Sequence, residues 1–152
     1  MPVHFRNVDA SPSDDVRTWP YEALVTTIDR GLVGDWQPIF AELRRSPWGR
    51  LARRVEHYLS YRDQDGVSTL FALAIERARD HAAQADREEV VDRVNEAVRH
   101  SGLTNREFAR LVGTSASRLS TYLSGKVTPS AAMLVRIERA AAKLQHPSSA
   151  ID

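Results

Sequence analysis

Seven basic side chains, Arg106, Arg110, Arg118, Lys126, Arg136, Arg139 and Lys143, fall between Leu103 and Leu144, where only Glu107 and Glu138 oppose them. That segment carries a net +5, whereas the whole 152-residue chain carries +1. Guanidinium and ammonium groups gathered in this way suit a polyanion, because they pair with phosphate oxygens without needing a particular base. A second basic run, RRSPWGRLARR, places Arg44, Arg45, Arg50, Arg53 and Arg54 around Trp48. It could hold an acidic partner. The preferred alternative is a helix with a solvated arginine face and Trp48 packed into the core.

Other chemistries find little support. His4, His57, His81, His100 and His146 are scattered, with no pair at the spacing of zinc ligands, and the chain has no cysteine, so neither a metal site nor a disulfide is expected. There is no Gly-rich phosphate loop, no His-Glu helix pair and no Gly-x-Ser-x-Gly elbow; the acidic pairs Asp14 with Asp15 and Asp63 with Asp65 sit in predicted loops. The expectation is a protein that is not an enzyme and uses no cofactor. A hydrophobic content of 42% with 27% charged residues is that of a globular chain. No apolar run approaches the ~18 residues of a membrane helix. The first residues, MPVHFRNVDA, lack the basic-then-apolar order of a signal peptide, so a cytoplasmic protein without membrane contact is expected.

The basic segment needs elements to hold it. Thr104 followed three residues later by Glu107 is a capping box, Phe108, Leu111 and Val112 share one helical face, and Gly113 offers a left-handed stop. Thr114 or Ser115 can cap a second short helix that buries Leu119, Tyr122 and Leu123 and stops at Gly125. Pro129 and Ser130 supply a loop and a cap for a third, striped by Met133, Leu134, Ile137, Ala141 and Leu144. Helices this short cannot bury a core alone. A preceding helix between Glu88 and His100, carrying Val90, Val91, Val94, Ala97 and Val98, completes a predicted four-helix bundle.

The series LTNREFARLVGTSASRLSTYLSGKVTPS resembles the helix-turn-helix of the Cro and Xre type regulators, whose usual pattern runs L-T-Q-x-E-L-A, G-V-S-x-S-x-I-S and G-K-x-x-P-S. Asn105 stands where Gln is usual, Thr114 where Val is usual and Leu123 where Glu is common. The resemblance implies a lambda-repressor-like bundle whose second paired helix enters the major groove of double-stranded DNA while the first crosses the backbone. Carried over by position, it implies that Ala116, Ser117, Arg118 and Thr121 face base edges, with Arg118 the chief reader through guanine O6 and N7. It places Asn105, Ser115, Ser124 and Lys126 near phosphates. Tyr122 is expected in the core, and Arg110 is as readily part of a solvated face as a contact to DNA.

The N-terminal half reads as a second helical unit, making the chain all-α. Trp19, Tyr21, Leu24, Val25 and Ile28 predict a helix ending at Gly31 with Pro20 in its first turn. Asp35 predicts the cap of another through Phe40 and Leu43, and Ser46 with Pro47 at the first helical position opens a third carrying Leu51, Val55, Tyr58 and Leu59. From Gly66 a helix runs through Leu70, Phe71, Leu73, Ala74 and Ile75. No glycine or proline interrupts residues 67–100, so one long helix is allowed, but the change to HAAQADREE favours a break near Ala85. The expected domains are therefore 1–85, for dimerisation, effector or partner binding, and 86–146, for DNA, with 147–152 a disordered tail. Disorder is also expected from Met1 to about Val16.

Two functions follow. One is a repressor that binds a palindromic operator as a homodimer, since one short recognition helix reads too few base pairs alone. The other is an antitoxin whose N-terminal half binds a protein toxin. An enzyme with a DNA-binding tail would need a pocket with convergent polar groups before residue 85.

Overall fold

The computed structural model describes residues 3–6 and 9–145. They form a short 3-10 turn, Val16–Thr18, and seven α-helices: α1 (Tyr21–Arg30), α2 (Val33–Arg45), α3 (Arg50–Tyr61), α4 (Gly66–Ser101), α5 (Asn105–Val112), α6 (Ala116–Leu123) and α7 (Ala131–Gln145). No strand occurs among the described residues. The chain divides into two compact units, Met1–Ala82 and Ala83–Asp152.

The first unit closes α1, α2, α3 and the start of α4 around Leu24, Ile28, Ile39, Leu43, Val55 and Phe71, each at most 1% exposed. Burying a side chain of this size contributes about 1.5–3 kcal/mol. Phe71 meets Trp36 edge-on at 5.4 Å and stacks on Phe40 at 5.0 Å. The polar ends are satisfied inside: Trp36 Nε1 donates to the Thr27 carbonyl at 2.8 Å, and Thr27 Oγ1 donates to the Ala23 carbonyl at 2.9 Å. The Tyr58 hydroxyl donates to Asp29, and burial, aided by that bond, pushes its pKa up to about 12.

Several local expectations are corrected. Asp35 is not the cap of α2 but its third residue, whose carboxylate accepts the Leu32 N–H at 2.8 Å; the cap and the start of the helix thus lie three residues earlier. Pro20 precedes α1 as its N-cap residue rather than lying inside the first turn. Ser46 and Pro47 do not open α3. Pro47 is buried in a turn closed by the Gly49 N–H on the Ser46 carbonyl at 3.0 Å, and the helix begins at Arg50. A side chain at Gly49 would put its Cβ 2.4 Å from Ser46 Oγ and 3.1 Å from the Ser46 carbonyl oxygen, so any larger residue in this tight turn makes Ser46 shift. Consequently Trp48 is carried at the turn and is 53% exposed, not packed in the core.

The basic run around it serves separate contacts. Arg45 pairs with Glu42 at 2.7 Å, and Arg54 Nη1 donates to the Trp19 carbonyl at 2.8 Å, while Arg44, Arg50 and Arg53 are exposed. The expected disorder before Val16 is also overturned for the described residues. Val3 and Val16 are buried, and Phe5 meets Trp19 at 5.2 Å, because these few apolar groups in a polar stretch find a ready apolar face. The expected tail, 147–152, and His146 lie outside the described residues.

The break expected near Ala85 does not occur, and α4 is one 36-residue helix. In place of an apolar stripe its middle has polar support along the helix: Gln84 Nε2 donates to Glu88 at 2.9 Å, and Arg87 Nη2 donates to Gln84 at 2.8 Å. Three- and four-residue spacings of this kind stabilise an exposed helix by about 0.2–0.5 kcal/mol each.

Candidate nucleic-acid interface

In the second unit, the last turns of α4 join α5, α6 and α7 around Val94, Phe108, Val112, Leu119 and Ile137, each at most 1% exposed. The caps are those the residue types dictate. Thr104 Oγ1 accepts the Glu107 N–H at 3.2 Å, and the Glu107 carboxylate accepts the Thr104 N–H at 2.9 Å. That backbone donor holds the Glu107 carboxyl below its ordinary range. Helix α5 ends at Gly113, where φ is 78°, and Arg136 Nη1 donates to the Val112 carbonyl at 3.3 Å. Ser115 Oγ then accepts the Arg118 N–H at 3.1 Å and starts α6 after a turn of only Gly113, Thr114 and Ser115. Ser130 Oγ caps α7 in the same way through the Met133 N–H at 3.1 Å.

Two contacts fix α6 and α7 against the end of α4. Asn95 Nδ2 donates to the Leu123 carbonyl at 3.0 Å, supplying a partner for a helix-end acceptor. Arg93 pairs with Glu138 at 2.6 Å. Both acids of the basic segment are therefore engaged, Glu107 in its cap and Glu138 in this pair. The exposed cations Arg106, Arg110, Lys126, Arg139 and Lys143 have no ion pair among the described residues.

Helix α6 is divided lengthwise. Leu119 and Tyr122 are buried, while Ala116, Ser117, Arg118 and Ser120 are exposed. Thr121 is half-buried, and its Oγ1 donates to the Arg118 carbonyl at 2.6 Å, which occupies the hydroxyl proton within the helix. Asn105, Ser115, Ser124 and Lys126 are exposed at helix ends: Asn105 opens α5, Ser115 precedes α6, and Ser124 and Lys126 follow it. Ser124 Oγ donates to the Thr121 carbonyl at 3.3 Å.

Arg118 is held by a neighbour that sequence reasoning assigned only to the core. Tyr122 is 5% exposed, yet its hydroxyl accepts Arg118 Nε at 3.2 Å, and the guanidinium carbon lies 6.0 Å from the ring centroid. Neither Nη of Arg118 has a partner among the described residues. The four-residue spacing on one helix was the available signal.

Residues 95–141 match a family model described as helix-turn-helix. Comparison with curated proteins and with solved structures finds no match. The matched stretch is the one that resembles the Cro and Xre type regulators, and it covers 47 of the 152 residues. It starts within the last two turns of α4 and takes in α5, α6 and most of α7. Among the described residues no group of three or more histidine or acidic side chains could hold a metal, and no helix is long and apolar enough to cross a membrane.

Proposed function

We propose that this chain is a sequence-specific repressor that reads the major groove with α6, Ala116, Ser117, Arg118 and Thr121 facing base edges and Asn105, Ser115, Ser124 and Lys126 facing phosphates. The observation that carries the reading is the pair of uncommitted Nη groups on Arg118, in a helix whose opposite side is buried. Arginine grips guanine O6 and N7 with two parallel hydrogen bonds, worth about 1–3 kcal/mol of discrimination. Thr121, its hydroxyl occupied, presents a methyl group suited to thymine. Lys126 adds charge without base preference.

The test uses a duplex selected by the protein from random DNA. Arg118→Ala is expected to lower the preference for that duplex over random DNA by roughly 5- to 150-fold, the equivalent of about 1–3 kcal/mol. Lys126→Ala is expected to weaken both about equally and to reduce the salt slope. The reverse pattern rejects the assignment. The reading includes a homodimer on a palindromic site, with half-sites about one helical turn apart. Light scattering showing a monomer at every concentration, with and without the selected duplex, removes that part.

A second reading, an antitoxin, keeps the same module and adds a protein toxin bound by the first unit. The exposure of Trp48 and Tyr61, 53% and 60%, favours it, since large aromatic side chains anchor protein interfaces. Copurification from the native host, and a short toxin-like neighbouring gene, separate it from an autonomous repressor.

A further inference from the structure

The first unit contains an open groove of about 580 Å³ between α2 and α4. Its floor is apolar, formed by Phe40, Leu70, Leu73 and Ala74, with Leu70 and Leu73 still 41% and 38% exposed. Arg44, Arg77 and His81 also line it, and no carboxylate does.

These polar groups gather at one end. Trp36 and Phe40 of α2 meet Phe71 of α4, and beyond the end of α2 the Pro47 carbonyl accepts Arg79 Nε at 3.0 Å. The two helices therefore advance in the same direction, and Arg44, Arg77 and His81 all lie one or more turns beyond the Phe40–Phe71 stack. Arg77 and His81 are also four residues apart on one helix, so they share a face. Neither arginine has a hydrogen bond or ion pair among the described residues, in contrast to Arg45, Arg54, Arg62 and Arg79 of the same unit.

We propose that this groove binds a small amphipathic organic anion, its hydrocarbon body on Phe40, Leu70, Leu73 and Ala74 and its carboxylate on Arg44, Arg77 and His81. Size and charge select this occupant. The volume lies within the ~300–1,000 Å³ usual for small-molecule sites. A stable protein interface instead covers about 800 Å² on each partner, more than eight lining residues provide. A second copy seated here across a two-fold axis would bring two guanidiniums toward their own duplicates. An anion with an apolar tail satisfies both ends, because arginine pairs with a carboxylate through two parallel hydrogen bonds. The proposal is independent of the DNA reading and is tested without DNA.

The full chain is titrated with decanoate, 1-decanol, decyltrimethylammonium and acetate, each below micelle formation, by calorimetry and by methyl NMR. Decanoate is expected to bind once per chain, to move the Leu70, Leu73 and Ala74 methyl signals, and to bind at least tenfold tighter than the alcohol or the cation. Acetate is expected to give no measurable binding. Arg44→Gln with Arg77→Gln should remove the preference for decanoate over decanol while leaving decanol binding unchanged; both side chains are exposed and have no hydrogen bond or ion pair among the described residues. Equal binding of decanoate and decanol to the wild type, or a preference that survives the double substitution, overturns the proposal. So does a Leu73→Asp chain that changes from dimer to monomer, because a second copy would then cover the groove.

Discussion

Arg118 and Tyr122 show how one side chain orients another one turn along the same helix. With Nε held by the Tyr122 hydroxyl, the guanidinium loses rotational freedom while both Nη groups stay available. Tyr122→Phe keeps the buried ring and removes only that acceptor. It is expected to lower base discrimination at the Arg118 position several-fold, leave the salt slope unchanged and preserve the thermal midpoint within a few degrees. Binding to a panel of single-base variants of the selected duplex reads this directly; a uniform loss across the panel would assign Tyr122 to packing alone. The capping hydroxyls and Arg118's place on an open helix face were legible, since cap chemistry and periodicity are local. The Arg118–Tyr122 bond was not, because a buried aromatic ring hides the fact that its polar edge reaches the surface.

At the scale of elements, cap chemistry makes a pH-dependent contribution. The Glu107 carboxyl is held below its ordinary range by the Thr104 N–H, so it adds stability above that range and loses it as the pH falls through its folded value. Glu107→Gln retains an acceptor and removes the titration, so its stability is expected to fall less on acidification than that of the wild type, measured by denaturant melts across acidic pH. Thr104→Ala is expected to cost about 1 kcal/mol at neutral pH in the same melts. Phe108→Ala, at a site 0% exposed, is expected to cost about 3–5 kcal/mol and to unfold the second unit first. The short helices around the turn were readable because each start and stop has its own residue. Helix α4 misled because its middle trades an apolar stripe for pairs such as Gln84 with Glu88, a pattern that in sequence resembles a connector. Amide exchange is expected to be faster between Ala83 and Glu89 than at Phe71 or Val94, where the helix is covered.

For the whole molecule, charge and apolar surface are distributed unequally. The C-terminal segment gathers net positive charge, +5 against +1 for the whole chain, and the N-terminal unit holds the apolar groove beside Arg44 and Arg77. Composition reveals the first distribution because it needs only counting. The groove was illegible because Arg44 and Arg77 are far apart in the chain, and only the parallel course of α2 and α4 brings them to one end. The same holds for Trp48, whose exposure depends on the turn at Gly49.

The lengthwise division of α6 bears on how such a protein changes over generations. Ala116, Ser117, Arg118 and Ser120 have no duty in the core, so on the proposed reading substitutions there redirect the DNA sequence preferred without unfolding the module. Leu119 and Tyr122 are constrained by packing. Lineages descended from this protein could therefore diversify their targets rapidly on an almost unchanged scaffold, with Tyr122 setting one limit: a new reader at position 118 inherits a hydroxyl suited to a donor.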